Sequence, residues 1–93
     1  MNTKRKGTRA EHRTMRVLEA AGYACTRAAA SLGVWDVIAI GPQGVRLCQV
    51  KCNRRPGSVE MEAMRSFPAP VGVTRELWIW HDHARQPVIE VLP

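Results

Sequence analysis

Apolar side chains recur along this chain with two different periods, and the switches between them mark the elements. Over residues 8 to 22 the spacing is helical. At 100° per residue, Ala10, Thr14, Met15, Val17, Leu18 and Ala21 form one face, opposite Arg9, His12, Arg13, Arg16 and Glu19. Thr8 stands where an N-cap belongs and Gly22 where the helix should stop. Residues 23 to 27 supply a first strand. Residues 34 to 40 form an apolar run into the turn Gly41-Pro42-Gln43-Gly44, and residues 45 to 52 follow, so the two read as a hairpin. After Pro56-Gly57, Ser58 can cap a short helix over 58 to 67 with Val59, Ala63, Met64 and Phe67 as its apolar positions. Residues 76 to 81 and 88 to 92 read as two last strands. The order α-β-β-β-α-β-β predicts an α/β fold, a mixed sheet of about five strands flanked by helices.

Four polar residues break these patterns. Glu11 falls inside the apolar face of the first helix, between Leu18 and Met15, where a carboxylate has to be paired, hydrogen-bonded or metal-bound. A helix-start acid favoured by the macrodipole is the plain alternative. Asp36 sits in the strand-like run 34 to 40, although aspartate is depleted from strands. With a period of two, Gln49 and Lys51 share one face of the next strand, and Cys48, Val50 and Cys52 share the other. A neighbouring Asp36 could bring its carboxylate beside Gln49 and Lys51. Oxygen ligands gathered this way suit a hard cation such as Mg²⁺, with the lysine holding the attacking water or stabilising charge developing on a phosphate.

These residues also carry a family resemblance. Arg5-Lys6-Gly7, Ala10-Glu11, Gly22-Tyr23, Arg27, Ser31, Asp36 and Gln49-Val50-Lys51 follow the order and spacing of the archaeal-type Holliday junction resolvases, within the PD-(D/E)XK nucleases. The likeness covers residues 5 to 52. It implies a restriction-endonuclease-like core and a homodimeric, Mg²⁺-dependent endonuclease, with Mn²⁺ as a substitute, that nicks four-way DNA junctions in pairs. By position it implies Glu11, Asp36 and Gln49 as metal ligands and Lys51 as the catalytic lysine, with Arg27 and Ser31 also in catalysis. Two departures stand out: glutamine replaces the usual glutamate at position 49, and His12 replaces a basic residue that often follows the first glutamate. The small VRR-type nucleases, which also accept glutamine there, are a related alternative. A DNA-binding protein with a relic site is an unrelated one.

Charge agrees with a nucleic-acid partner. Residues 1 to 55 carry eleven Lys/Arg against three acids, net +8, while the remainder is net −2. Lys4, Arg5, Lys6, Arg9, Arg27, Arg54 and Arg55 are the candidate phosphate contacts, with residues 1 to 7 expected as a flexible basic arm on a single nuclease domain spanning 1 to 93. No apolar run approaches the ~20 residues of a membrane span, and the basic N-terminus has no apolar core of a signal peptide. Cys48 and Cys52 would lie about 13 Å apart on one strand face, too far for a disulfide, so reduced thiols and a cytoplasmic setting are expected.

Three features leave alternatives open. Leu77 and Ile79 point one way from their strand and Trp78 and Trp80 the other, which fits either a central strand or a dimer contact. His81-Asp82-His83 reads better as a polar turn than as a zinc site. Glu60 faces inward from the second helix and could either replace the acid missing at position 49 or simply favour the helix N-terminus.

Overall fold

The computed structural model describes residues 3–28 and 33–93. Helix α1 runs from Thr3 to Ala20 and β1 from Ala24 to Arg27. The hairpin strands are β2, Val37–Gly41, and β3, Gly44–Cys52. Helix α2, Ser58–Ser66, leads to β4, Val73–Trp80, and β5, Val88–Leu92. The sheet order is β1-β2-β3-β4-β5. Only β3 and β4 pair in parallel, because α2 carries the chain back between them. The predicted α/β architecture and element order therefore hold.

Element ends differ from the sequence expectation in four places. Helix α1 begins at Thr3, so Thr8 is interior and its hydroxyl donates to the carbonyl of Lys4 at 3.1 Å. Lys4-Arg5-Lys6 thus form the first turns of the helix instead of an arm ahead of it. Strand β2 begins at Val37, leaving Val34, Trp35 and Asp36 before it, and β4 begins three residues early, at Val73. At α2 the cap position is Gly57, which offers no side-chain oxygen, and Ser58 is already helical. The stop at Gly22 is as expected: its φ of 96° turns the chain, and the amide of Tyr23 closes back on the carbonyl of Leu18 at 3.0 Å.

The two faces of the sheet are covered by one helix each. Under α1, Ala10 and Leu18 pack on Val37, Ala39, Cys48, Val50, Trp78 and Trp80. Under α2, Met61 and Met64 pack with Trp35, Leu47, Leu77, Ile79 and Leu92. Strand β4 is an interior strand, between β3 and β5, and its two tryptophans are core residues under α1 that need no partner chain. Withdrawing an indole from water removes about 150–250 Å², roughly 4 kcal/mol or more at ~25 cal/mol/Å². The polar edge of Trp80 is satisfied as well: its Nε1 donates to the Thr14 hydroxyl at 2.8 Å, which donates to the Ala10 carbonyl at 2.9 Å. Val17 and Ala21, placed by period on the inner face of α1, are exposed, as are Val59 and Ala63 on α2; Met61 takes the buried position instead. Each helix therefore buries a narrower stripe than 100° arithmetic suggests.

Gly44 is fixed by a close approach at the start of β3. Its φ is 126°, and a Cβ there would meet the Gly72 carbonyl oxygen at 1.9 Å. The same carbonyl accepts from the Val45 amide at 2.7 Å, which sets the β3–β4 register that carries the site.

Candidate active site

Arg27, Asp36, Gln49 and Lys51 all lie at one end of the sheet, because β1 ends, β2 starts and β3 ends there. Register pairs Arg27 with Val37 and Val37 with Cys48. Asp36 sits between its neighbours through its own main chain: its amide donates to the Cys48 carbonyl at 2.9 Å, and its carbonyl accepts from the Ala28 amide at 2.9 Å. Its Oδ2 then accepts from the Val50 amide at 2.9 Å and from Gln49 Nε2 at 3.2 Å. An aspartate at this position is accounted for: the carboxylate continues the hydrogen-bond ladder where β2 has not yet begun.

Gln49 has one half of its amide satisfied and the other not. Nε2 is used on Asp36, whereas Oε1 is buried and has no hydrogen-bond partner. The residue is only 5% exposed. A buried carbonyl oxygen left alone costs about 1–3 kcal/mol, so this one asks for a ligand. Oxygen donors from Asp36 and Gln49 fit a hard divalent cation and suit softer metals less well. Among the described residues no three His, Cys, Asp or Glu side chains gather closely enough to hold a metal.

The other expected residues are arranged in pairs around this centre. Lys51 Nζ contacts both oxygens of Glu60 on α2, at 3.2 and 3.3 Å, with the lysine about a quarter exposed and the glutamate less than half. Glu11 is bonded to Arg27, Nε to Oε1 at 2.9 Å, and no described hydrogen bond joins it to Asp36 or Gln49. Glu62, on the same helix as Glu60, is exposed. Ser31 lies outside the described residues. The Val50 amide was not foreseeable, since a main-chain donor leaves no mark in the sequence.

The candidate phosphate contacts divide into paired and unpaired cations. Lys6 bonds Asp82 at 2.8 Å, and this bond, helped by the Asn53 side chain, holds that carboxyl below the usual range. Arg55 bonds Glu90 at 2.6 Å. Lys4, Arg9 and Arg54 have no partner among the described residues. Lys4, Arg5 and Lys6 also stand at the positive end of the α1 dipole, with no acid in that first turn. This arrangement costs the isolated protein energy and favours an anion.

A second polar cluster lies toward the other end of β3, on the α1 face. Glu76, on β4, is 2% exposed. Arg46 binds it with two bonds, at 2.8 and 2.9 Å, Thr74 donates at 2.6 Å and Trp78 Nε1 at 2.9 Å. Burial alone would raise its pKa. The hydrogen bonds from Arg46, Thr74 and Trp78, with the Arg46 charge, more than offset that and leave it lowered. The neighbouring Cys48 thiol is pushed well above its usual range by burial and by Glu76, so it stays an inert thiol. All three cysteines are free. Among the described residues no helix is long and apolar enough to cross a membrane.

Comparison with known proteins adds two findings. The family model described as archaeal Holliday junction resolvase (Hjc) matches residues 2–66, more than two thirds of the 93. Among solved structures, the chain is similar to Hjc of Archaeoglobus fulgidus, described as a Holliday junction resolvase from an archaeal hyperthermophile. The TM-score is 0.72 and the identity 23%, over 95% of this chain and 72% of the other. No curated protein matches the sequence.

Proposed function

The chain belongs to the archaeal Holliday junction resolvase family, and from that premise we propose that it is a Mg²⁺-dependent endonuclease that resolves four-way DNA junctions by paired symmetric nicks, with Mn²⁺ able to replace Mg²⁺. The observation that carries the chemical part is the buried, partnerless Oε1 of Gln49 beside the Asp36 carboxylate. In this reading Asp36, Gln49 Oε1 and Glu11 hold the cation, Glu11 joining once it leaves Arg27. When bound, the cation would polarise the phosphoryl group and make a coordinated water more acidic.

The chain's own residues supply the rest. Val50 fixes Asp36 by a main-chain bond, so the carboxylate is aimed before DNA arrives. Lys51 holds the water that attacks phosphorus, or neutralises charge on the phosphoryl oxygens as the P–O bond breaks; Glu60 keeps its ammonium in place. Arg27, once free of Glu11, is a second cation for the phosphate. Lys4, Arg9 and Arg54 bind backbone phosphates without reading bases. One chain carries one such site, and two symmetric nicks need two, so the working form is a two-fold homodimer.

The test is cleavage of labelled four-way junction, linear duplex, flap and single strand, each with Mg²⁺, Mn²⁺ or EDTA. Metal-dependent, paired cutting of the junction in preference to duplex is the expected result. A protein that binds the junction yet cuts nothing in either metal would instead be a DNA-binding module with a relic site.

A further inference from the structure

Next to the catalytic corner, α1 and the turn after β4 enclose a hollow of about 250 Å³ that the nuclease chemistry does not use. Lys6, Arg9 and Arg13 reach it from one stripe of α1, at spacings of three and four residues. His81 and His83 face them from the turn, and Trp80 forms part of the lining. The one acid in the lining, Asp82, is already paired with Lys6. Arg9 and His81 have no side-chain partner among the described residues, and His83 makes no side-chain hydrogen bond there and acts on Asp82 only through its charge.

The turn is held in place from three sides. The Asp82 amide donates to Asn53 Oδ1 at 2.8 Å, the Ala84 amide closes on the His81 carbonyl at 3.1 Å, and Arg13 Nη2 donates to the Ala84 carbonyl at 3.3 Å. Arg13 also stacks on Trp80, its Cζ 4.1 Å from a ring centroid. A guanidinium stacked this way keeps edge N–H donors for an anion, and its ordering cost is already met by the fold.

Cations, imidazole N–H groups and an already neutralised acid select an anion with several oxygens. The hollow shares Lys6 and Cys52 with a neighbouring one of about 430 Å³ lined by Gly7, Lys51 and Arg54. Basic side chains and imidazoles therefore run from the catalytic lysine to His83. A polyanion with regularly spaced charges follows such a track, which a lone small anion would not require. We propose that this hollow is a phosphodiester subsite that grips the backbone of a DNA arm beyond the cleavage point, with Arg9, Arg13, His81 and His83 as its donors. The inference rests on the DNA-binding part of the proposed function.

The test is equilibrium binding of labelled four-way junction in EDTA over a salt series, using Arg13→Gln, the double variant His81→Ala/His83→Gly, and Arg65→Gln as a charge control on α2. Glycine suits position 83, where φ is 67°. Arg13→Gln and the double variant should each bind about tenfold more weakly, the loss expected of a hydrogen bond to a charged group. Arg13→Gln should also reduce the slope of log K against log salt by about 0.9. Arg65→Gln should stay within about twofold of the parent, as an uninvolved exposed cation should. On junctions with arms too short to reach the hollow, parent and variants should become equal. Parent-like binding by both variants, an equal loss from Arg65→Gln, or a difference that persists on the shortest arms would overturn the subsite. If Arg13→Gln unfolds through loss of the Trp80 contact, the double variant decides, since its two side chains are exposed and make no hydrogen bond among the described residues. A parent that binds the junction and does not cut it overturns the nuclease reading and leaves this test in force, whereas a parent that binds no DNA overturns both.

Discussion

Strand β3 carries two polar clusters built on opposite terms. Toward its start, Arg46, partly exposed, and Glu76, buried, form an ion pair in which the carboxylate receives two bonds from the arginine, one from Thr74 and one from Trp78. Three residues on and on the other face, Gln49 has its nitrogen used and its oxygen left alone. Both clusters place polar groups in a sheet interior, and both would be noticed by a search for buried charge. The difference is satisfaction. A cluster whose acceptors are filled by its own protein has nothing left for a ligand, and it serves register and stability. A cluster with a buried acceptor to spare is incomplete until something else arrives.

The strongest way to break this contrast is to remove each cluster's key group. Asp36→Asn and Lys51→Ala should each lower junction cleavage by about a thousandfold or more, as loss of a preorganised electrostatic group does. DNA affinity should stay within a few-fold, because phosphate contacts elsewhere supply most of it. Single-turnover cleavage and filter binding on the same junction read the two quantities. Both variants cutting like the parent would remove the catalytic role from this corner.

The Arg46–Glu76 end should answer in stability. Glu76→Gln leaves a partly buried guanidinium without its counter-charge, a change that should cost about 1–3 kcal/mol by denaturant unfolding. It should leave the metal dependence of the surviving folded protein unchanged. The pH dependence has a definite sign. The native carboxyl pKa is lowered, so the charged form is favoured by folding. The stability it contributes is complete above the unfolded carboxyl pKa and lost as pH falls through the lowered native value. The parent should therefore weaken in that acidic window more steeply than Glu76→Gln. Parallel curves would mean that Glu76 is not the titrating group.

The sequence could not have separated these two clusters. Asp36 drew notice as an acid entering an apolar strand, and Glu76 carries the same mark beside Leu77, Trp78 and Ile79. What distinguishes them is who supplies the donors. Arg46 is thirty residues away from Glu76, and a parallel crossover brings it there, which no local period reports. By contrast the relation of Gln49 to Lys51 is a strand period, and the closeness of Gln49 to Asp36 follows from a hairpin with a two-residue turn, so that part of the site was legible. The opposite faces of Leu77/Ile79 and Trp78/Trp80 were legible for the same reason, although which partner covered the tryptophans needed the topology. Helix ends were less so: Thr8 and Ser58 have capping chemistry but lie within their helices, since α1 starts earlier and Gly57 takes the cap of α2.

Restoring a third carboxylate sharpens the contrast further. Gln49→Glu adds charge to the donor set, so the Mg²⁺ concentration for half-maximal cutting should fall by about tenfold or more, in line with a stronger oxygen donor for a hard cation. The same change removes the Nε2 donor to Asp36 and sets two carboxylates side by side. The metal-free variant should therefore be less stable than the parent by roughly 1 kcal/mol, and added Mg²⁺ should recover the loss. An unchanged Mg²⁺ requirement would reduce Gln49 to a strand residue near the site.

The smallest effect is expected at Glu60, where the two kinds of cluster meet. Its carboxylate could complete the metal site in place of the missing acid, or it could be satisfied by the protein as Glu76 is. The contacts favour the second role, since both oxygens face Lys51 Nζ and none is bonded to Asp36 or Gln49. The pair is partly exposed, and such pairs are worth about 0–1 kcal/mol. Glu60→Gln keeps an oxygen for Lys51 and removes only charge. Cutting should fall less than about fivefold, with the same ratio in Mg²⁺ and Mn²⁺, and melting should shift only slightly. A much larger loss that Mn²⁺ partly restores would instead mark Glu60 as a ligand, and the carboxylate missing from β3 would then be found on α2.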